Sequence, residues 1–256
     1  HNSQWNVDQG AGMVLCSVGV AEELGIPRDK WVFPVACAES NFMSTVASRG
    51  DLGGNPGFRL AGQAVMEVAG VSFDDIRLRE LYSCFPYAVR VQLEEFGMDE
   101  RGDLSVTGGM TFGGGPLNNF VFQATVRMAQ LLRAQPAETG LVTTVSGMLT
   151  KQGVALWSCE PGDQAWGFDD VTESVRSVAD LREVIADYVG EATVAGYTVL
   201  HQGSDPWRVV AVFDLPGGKR TVAYSERAAD LLRFEGEEAC GLRCHLSEGR
   251  FQPVSR

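Results

Sequence analysis

Three groups of residues have types and spacing that suggest chemistry. The first is the glycine run Gly113-Gly114-Gly115, followed by Pro116, Leu117, Asn118 and Asn119 at the head of an apolar periodic segment. Glycines before a helix bring backbone N–H groups close to an anion, and the helix N-terminus favours negative charge. The same run serves equally as a tight turn that lets two backbones pass closely, and the sequence leaves both readings open. Asn118 and Asn119 either bind a ligand carbonyl or cap the helix, a place asparagine favours. The second group is Cys240-x3-Cys244-His245, half of a metal-site pattern. Zinc takes four ligands and no second pair follows, so no metal is expected and these read as core cysteines. The third group is scattered. Tyr82 joins an apolar ring to a polar tip; Cys84 reads as a small buried hydrophobe; Lys151 reads as solvated, and His201 and His245 as structural residues on strands.

Alternating β and α elements are expected to position these residues. Gly10 to Ser17 reads as a buried strand and Val18 to Gly25 as a short helix closed by glycine. Trp31 to Ala38 is β-rich, with Pro34 implying an edge or a bend. Phe58 to Ala69 has helical periodicity. A strand at Glu80 to Cys84 precedes a helix from Pro86 to Phe96, where proline suits the first turn. Leu104 to Thr107 is a further candidate strand. Leu117 to Arg133 is an amphipathic helix with Val121, Ala124, Thr125, Met128, Leu131 and Leu132 as its stripe. Gly140 to Ser146 and Gly153 to Ser158 read as buried strands. These make an α/β layered domain over 1–158. A polar connector over 160–172 and a helical reading of 177–187 form a linker over 159–190. Over 191–256 the pattern turns to strands at Tyr197 to His201, Arg208 to Asp214, Arg220 to Tyr224, Gly241 to Leu246 and Arg250 to Val254. Pro216-Gly217-Gly218-Lys219 and Ser247-Glu248-Gly249 read as hairpin turns. With a helix at Glu226 to Phe234, this is expected to form a small β-barrel resembling an OB-fold.

The 256 residues carry 21 Lys+Arg against 33 Asp+Glu, a formal net charge of −12. Nucleic acid and anionic membrane surfaces repel such a chain and are not expected as main partners. Its apolar stretches are far shorter than the roughly 20 residues that span a bilayer. Nothing near the start reads as a secretory signal. The six cysteines lack a disulfide framework, so free thiols in a reducing cytoplasm are expected. The first residue is His1 rather than Met, and the chain reads as a portion of a longer protein.

Four segments, in matching order and at matching intervals, resemble the thiolase superfamily. Asn6-Val7-Asp8-Gln9-Gly10-Ala11-Gly12, followed by Met13-Val14-Leu15-Cys16-Ser17, resembles the stretch joining a thiolase's N-terminal and C-terminal halves. Glu80-Leu81-Tyr82-Ser83-Cys84-Phe85-Pro86 resembles the loop that carries Asn-Glu-Ala-Phe or His-Asp-Cys-Phe. Gly113 to Asn119 sits where thiolases have Gly-His-Pro-x-Gly, and Thr144-Val145-Ser146-Gly147 where they have Cys-x-Gly-Gly-Gly. The likeness is nearest to actinobacterial thiolase-like proteins (type 1) with an extra C-terminal domain, often named acetyl-CoA acetyltransferase. It covers residues 1 to 158, and the β-rich tail resembles that group's added domain.

The resemblance implies a layered βαβαβ half that works with an N-terminal half supplying the nucleophilic cysteine. It implies CoA or an acyl-CoA as ligand rather than a tightly held cofactor, with Gly114, Gly115, Pro116, Asn118, Ser146 and Gly147 as its contacts. Gly115 stands at the position of the base histidine and Val145 at that of the acid/base cysteine, so thiolase proton transfer is not expected. Tyr82, in the oxyanion loop, is the remaining candidate catalytic group, since a phenol can donate one hydrogen bond to an enolate oxygen. Alternatives are an acyl-CoA lyase of retro-aldol type or an acyltransferase in lipid or steroid breakdown, and a non-catalytic scaffold module. In the tail, Arg208, Lys219, Arg220, Arg233, Arg243 and Arg250 alternate with acidic residues, so a docking role is expected there rather than nucleic-acid binding. An oligomer is compatible with all of this.

Overall fold

The computed structural model describes residues 2–100, 102–162 and 166–254. They fall into two compact units, the first drawn from 1–43 and 53–178 and the second from 44–52 and 179–256. The architecture is mixed α/β with two five-stranded sheets.

The first unit runs α1 (Val18–Glu23), β1 (Phe33–Ser40), α2 (Pro56–Ala69), β2 (Leu78–Glu80), α3 (Pro86–Phe96), α4 (Met110–Gly113), α5 (Asn119–Ala134), β3 (Thr139–Ser146), β4 (Lys151–Ser158), β5 (Gly167–Asp170) and α6 (Thr172–Val178). The strand order is β2-β3-β4-β1-β5. β4 is antiparallel to both its neighbours, whereas the β2/β3 and β1/β5 pairs are parallel. β3 is buried continuously from Gly140 to Thr143, as expected of a strand covered on both faces. α2 packs on β1 and β4, and α5 packs on β3.

Local chemistry explains the helices. Asn55 caps α2 by accepting the Gly57 N–H, Pro56 sits in the first turn, and Gly70 at φ 66° ends it. Phe58, Ala61, Val65 and Met66 are its buried face. Pro86 opens α3 and Gly97, also at φ 66°, closes it. Pro34 lies at a β-bulge in β1, beyond the reach of β5, so its missing N–H leaves no gap in that ladder.

Several expectations need correction. Gly10 to Ser17 is not a strand and is not buried: Val14 is 91 % and Leu15 76 % exposed, and no described residue pairs with the segment. A strand exists only with a ladder partner. Leu104 to Thr107 forms one isolated bridge, Ser105 to Glu80, and is otherwise held by side chains. β2 stops at Glu80, so Tyr82, Ser83 and Cys84 lie in the following loop. The connector over 160–172 contains β5, paired with Ala36 to Glu39 of β1; its residues 163–165 lie outside those described. The helix expected over 177–187 is instead α6, which ends at Val178; beyond it Leu181 and Val184 make isolated bridges to Arg49 and Arg220.

The second unit contains β6 (Gly190–Gln202), β7 (Asp205–Asp214), β8 (Arg220–Ser225), α7 (Ala228–Gly236), β9 (Arg243–Ser247) and β10 (Arg250–Pro253). The strands close on themselves in the order β10-β8-β7-β6-β9, with β8 and β10 parallel. Val194, Val209, Phe213, Leu246 and Phe251 fill the interior together with Phe234 from α7. Gly217 and Gly218 take positive φ in the first hairpin turn, and Glu248 and Gly249 do so in the second. Arg220 is almost fully buried; it pairs with Asp214 at 2.7 Å and donates to the carbonyls of Arg49 and Gly50, which fixes the 44–52 segment in this unit.

Candidate functional site

Two loops of the first unit meet where the sequence concentrates its candidates. The first follows β2. The Tyr82 N–H donates to Thr143 Oγ1 at 2.8 Å, and the Tyr82 carbonyl accepts from Gln92 Nε2 at 2.9 Å. Thr143 Oγ1 in turn donates to Gln92 Oε1 at 2.5 Å. A buried amide on α3 and a buried hydroxyl on β3 therefore fix both backbone groups of Tyr82. Its ring lies edge-on to Phe120, with centroids 5.9 Å apart. Burial pushes the Tyr82 phenol up, and the Cys84 thiol beside it adds to the shift. Burial likewise raises Cys84, which packs against the cluster around Met110, Phe120 and Met128.

The second loop runs from Gly108 to Asn118. Gly108, Gly109 and Gly114 take positive φ. Ser83 Oγ accepts the Met110 N–H at 2.9 Å, joining the two loops. The chain start threads beside both: the Ser3 N–H donates to the Cys84 carbonyl at 3.1 Å, and the Gln4 carbonyl accepts the Gly115 N–H at 2.8 Å. A Cβ on Gly115 would stand 3.0 Å from both Met110 Sδ and Ser3 Cβ, and one on Gly114 would stand 2.7 Å from Val7. The Gly113 N–H is also used internally, by the Gly109 carbonyl at 2.7 Å. Of the two readings left open for this run, the geometry is that of the tight turn, since the Gly113 and Gly115 donors point at the chain itself.

Leu117 takes φ 54° while 70 % exposed, an unusual conformation for a branched side chain next to a candidate site. Asn118 makes no capping hydrogen bond and is exposed, whereas Asn119 Nδ2 donates to Gln9 Oε1 at 2.8 Å. Gln9 also bonds the Gly113 carbonyl at 2.6 Å and the Gln123 side chain.

The remaining candidates lie on the β3–β4 hairpin. Val145 is buried in β3 opposite Gln152. Ser146 and Gly147 begin the turn, where Gly147, Met148 and Leu149 all have positive φ. Their neighbours are Thr150 and Met43. Lys151 is exposed at the start of β4. His201 and His245 lie in β6 and β9, with His201 against Glu235 at 2.8 Å. The core reading of the cysteine pair holds for Cys244 alone: it is fully buried in the barrel, with its thiol pushed up to about 11 by desolvation and secondarily by Asp230. Cys240 is exposed. All six cysteines are unpaired.

Three supporting residues escaped the sequence reading. Glu80 is fully buried with its carboxylate turned to Ser105 and Thr107. Gln92 carried a signal, a polar residue on the apolar face of α3. Thr143 carried none, because threonine is ordinary in a strand. The first unit also has an open apolar cleft of about 680 Å³, lined by Met13, Val14, Val18, Trp31, Val126 and Arg133 among others.

No family model and no curated protein matches the sequence. Among solved structures, a monomeric SCP2-thiolase-like protein type 1 from Mycobacterium smegmatis superimposes with a TM-score of 0.82 at 26 % identity. The match covers 93 % of this chain and 53 % of that one, so the chain spans about half the length of the structure it matches. The fold is thiolase-like.

Proposed function

We propose that this chain is the C-terminal half of a thiolase-like protein related to acetyl-CoA acetyltransferases, that it binds CoA or an acyl-CoA beside the Tyr82 and glycine loops, and that it lacks thiolase proton transfer. The observation that carries the loss of chemistry is the packing at Gly115. Glycine has no base, and the space a side chain would need there is taken by Met110 and Ser3. Val145, the other position of interest, is a buried aliphatic with no proton to give. The ligand rests on the likeness of the fold and on the exposed groups at the head of α5, Leu117 and Asn118.

Tyr82 fits donation better than base catalysis. A phenol raised by burial stays protonated near neutral pH and can donate to a developing oxyanion. A retro-aldol lyase that used it as a base would work against that shift.

The unpaired Gly10–Ser17 segment and the apolar cleft beside it suit a second α/β half, which would supply the missing ladder partner. The neighbour's greater length supports this reading. The second unit reads as an OB-like barrel appended to that body. Its strands, numbered within the unit, close as 1-2-3-5-4, with a parallel 3–5 pair and a helix between the third and fourth.

Calorimetric titration with CoA, paired with a thiolysis assay on acetoacetyl-CoA by the full-length protein, tests the proposal. Saturable binding without thiolysis is expected. Thiolysis at an ordinary thiolase rate, or no binding, overturns it.

A further inference from the structure

We propose that Glu80 is the positioning residue of the glycine loop, holding the Ser105–Met110 stretch against the Tyr82 loop so that the two faces of the candidate ligand site stay in register. The proposal rests on the reading of that site given above.

Glu80 is fully buried at the end of β2, and no described cation pairs with it. A buried carboxylate in that state is costly unless hydrogen bonds compensate. Here the donors all come from one short stretch. Ser105 Oγ lies 2.9 Å from Oε1, Thr107 Oγ1 lies 3.0 Å from Oε1, and the Thr107 N–H lies 2.9 Å from Oε2. Desolvation pushes the carboxyl up, and these donors pull it back.

The stretch so held leads straight into the site. Gly109 N–H donates to Thr107 Oγ1 at 3.2 Å, and the next residue, Met110, donates its N–H to Ser83 Oγ at 2.9 Å. Met110 is also the residue that packs against Gly115. The path from Glu80 to the glycine run is therefore continuous through Thr107, Gly109 and Met110. The Leu81 N–H, donating to the Leu104 carbonyl at 3.0 Å, adds a backbone tie next to the same acceptor. A carboxylate suits this task better than an amide, because it accepts on both oxygens.

Glu80→Gln keeps the volume and replaces one acceptor by a donor. Thr107→Val removes one hydroxyl and is the milder variant, informative even if Glu80→Gln does not fold. Amide hydrogen exchange is followed over 104–118 and over β3, and CoA affinity is measured for each single variant and the double. Exchange over 104–118 is expected to rise at least tenfold while β3 stays protected. CoA affinity is expected to fall about tenfold, with the two substitutions non-additive because they act on one connection. Equal loosening of β3, no change in exchange, or additive effects on affinity overturns the proposal. If the wild-type chain binds no CoA, the ligand reading fails, and the exchange data alone decide the role of Glu80.

Discussion

The barrel and the loop region of the first unit treat buried polarity in opposite ways. In the barrel the interior is apolar, and the buried charges are answered at its margin: Arg220 by Asp214 and the Arg49 and Gly50 carbonyls, Asp230 by Ser225 at 2.6 Å and Arg227 at 3.9 Å. Around the loops, Glu80 and Gln92 are fully buried, and among the described residues no cation pairs with Glu80; both side chains bond to neighbouring backbone, Glu80 to the Thr107 N–H and Gln92 to the Tyr82 carbonyl. These groups hold backbone in place rather than adding apolar area. Such an arrangement costs stability and secures geometry, which is where functional regions depart from the rules that govern cores. The barrel is built to stay folded, and the loop region to keep two strand ends and a turn in one geometry.

Four substitutions or conditions sharpen that contrast. Phe213→Ala should cost the most, about 3–5 kcal/mol, because it empties the centre of the barrel. Denaturant unfolding of the purified protein reads this directly, and a loss below 1 kcal/mol would show a core that collapses around the gap. Next is the barrel's response to alkali. Cys244 titrates near 11 in the fold against 9.0 for a free thiol, so the folded state holds the proton more tightly. Its contribution is complete below pH 9 and is lost as pH rises toward 11, a span worth about 2–3 kcal/mol. Cys244→Ala should flatten that part of the stability profile.

In the loop region, Gln92→Leu should cost about 1–3 kcal/mol, since it leaves the Tyr82 carbonyl and the Thr143 hydroxyl without their partner. Added mobility should appear at Tyr82 and not in the barrel. The smallest effect has the opposite sign. Met148 is 73 % exposed at φ 53°, a region glycine enters without steric cost. Met148→Gly should stabilise by about 0.5 kcal/mol once the greater entropy of the unfolded glycine is set against the relieved strain. A raised melting temperature checks it.

What the sequence discloses divides along the same line. α2, α3 and α5 are legible because their apolar stripes repeat at helical spacing, and α3 also because Pro86 marks its first turn. The barrel hairpins are legible through Pro216-Gly217-Gly218-Lys219 and Ser247-Glu248-Gly249. Gly10 to Ser17 has a strand's composition but no neighbour to pair with, and composition cannot report a missing partner. β5 is short and acidic, Gly167-Phe168-Asp169-Asp170, so its place in the sheet depends on β1 alone. The candidate site was legible as separate motifs. Its framework was not, because Glu80, Gln92, Ser105 and Thr143 come from four segments and meet only in the folded chain.

The most direct test of the ligand reading is a hydrogen-exchange footprint of the wild-type chain with and without saturating CoA. Protection concentrated over 82–84 and 109–118, with the barrel unchanged, is the predicted result. An unchanged footprint, or protection confined to 190–254, would contradict it.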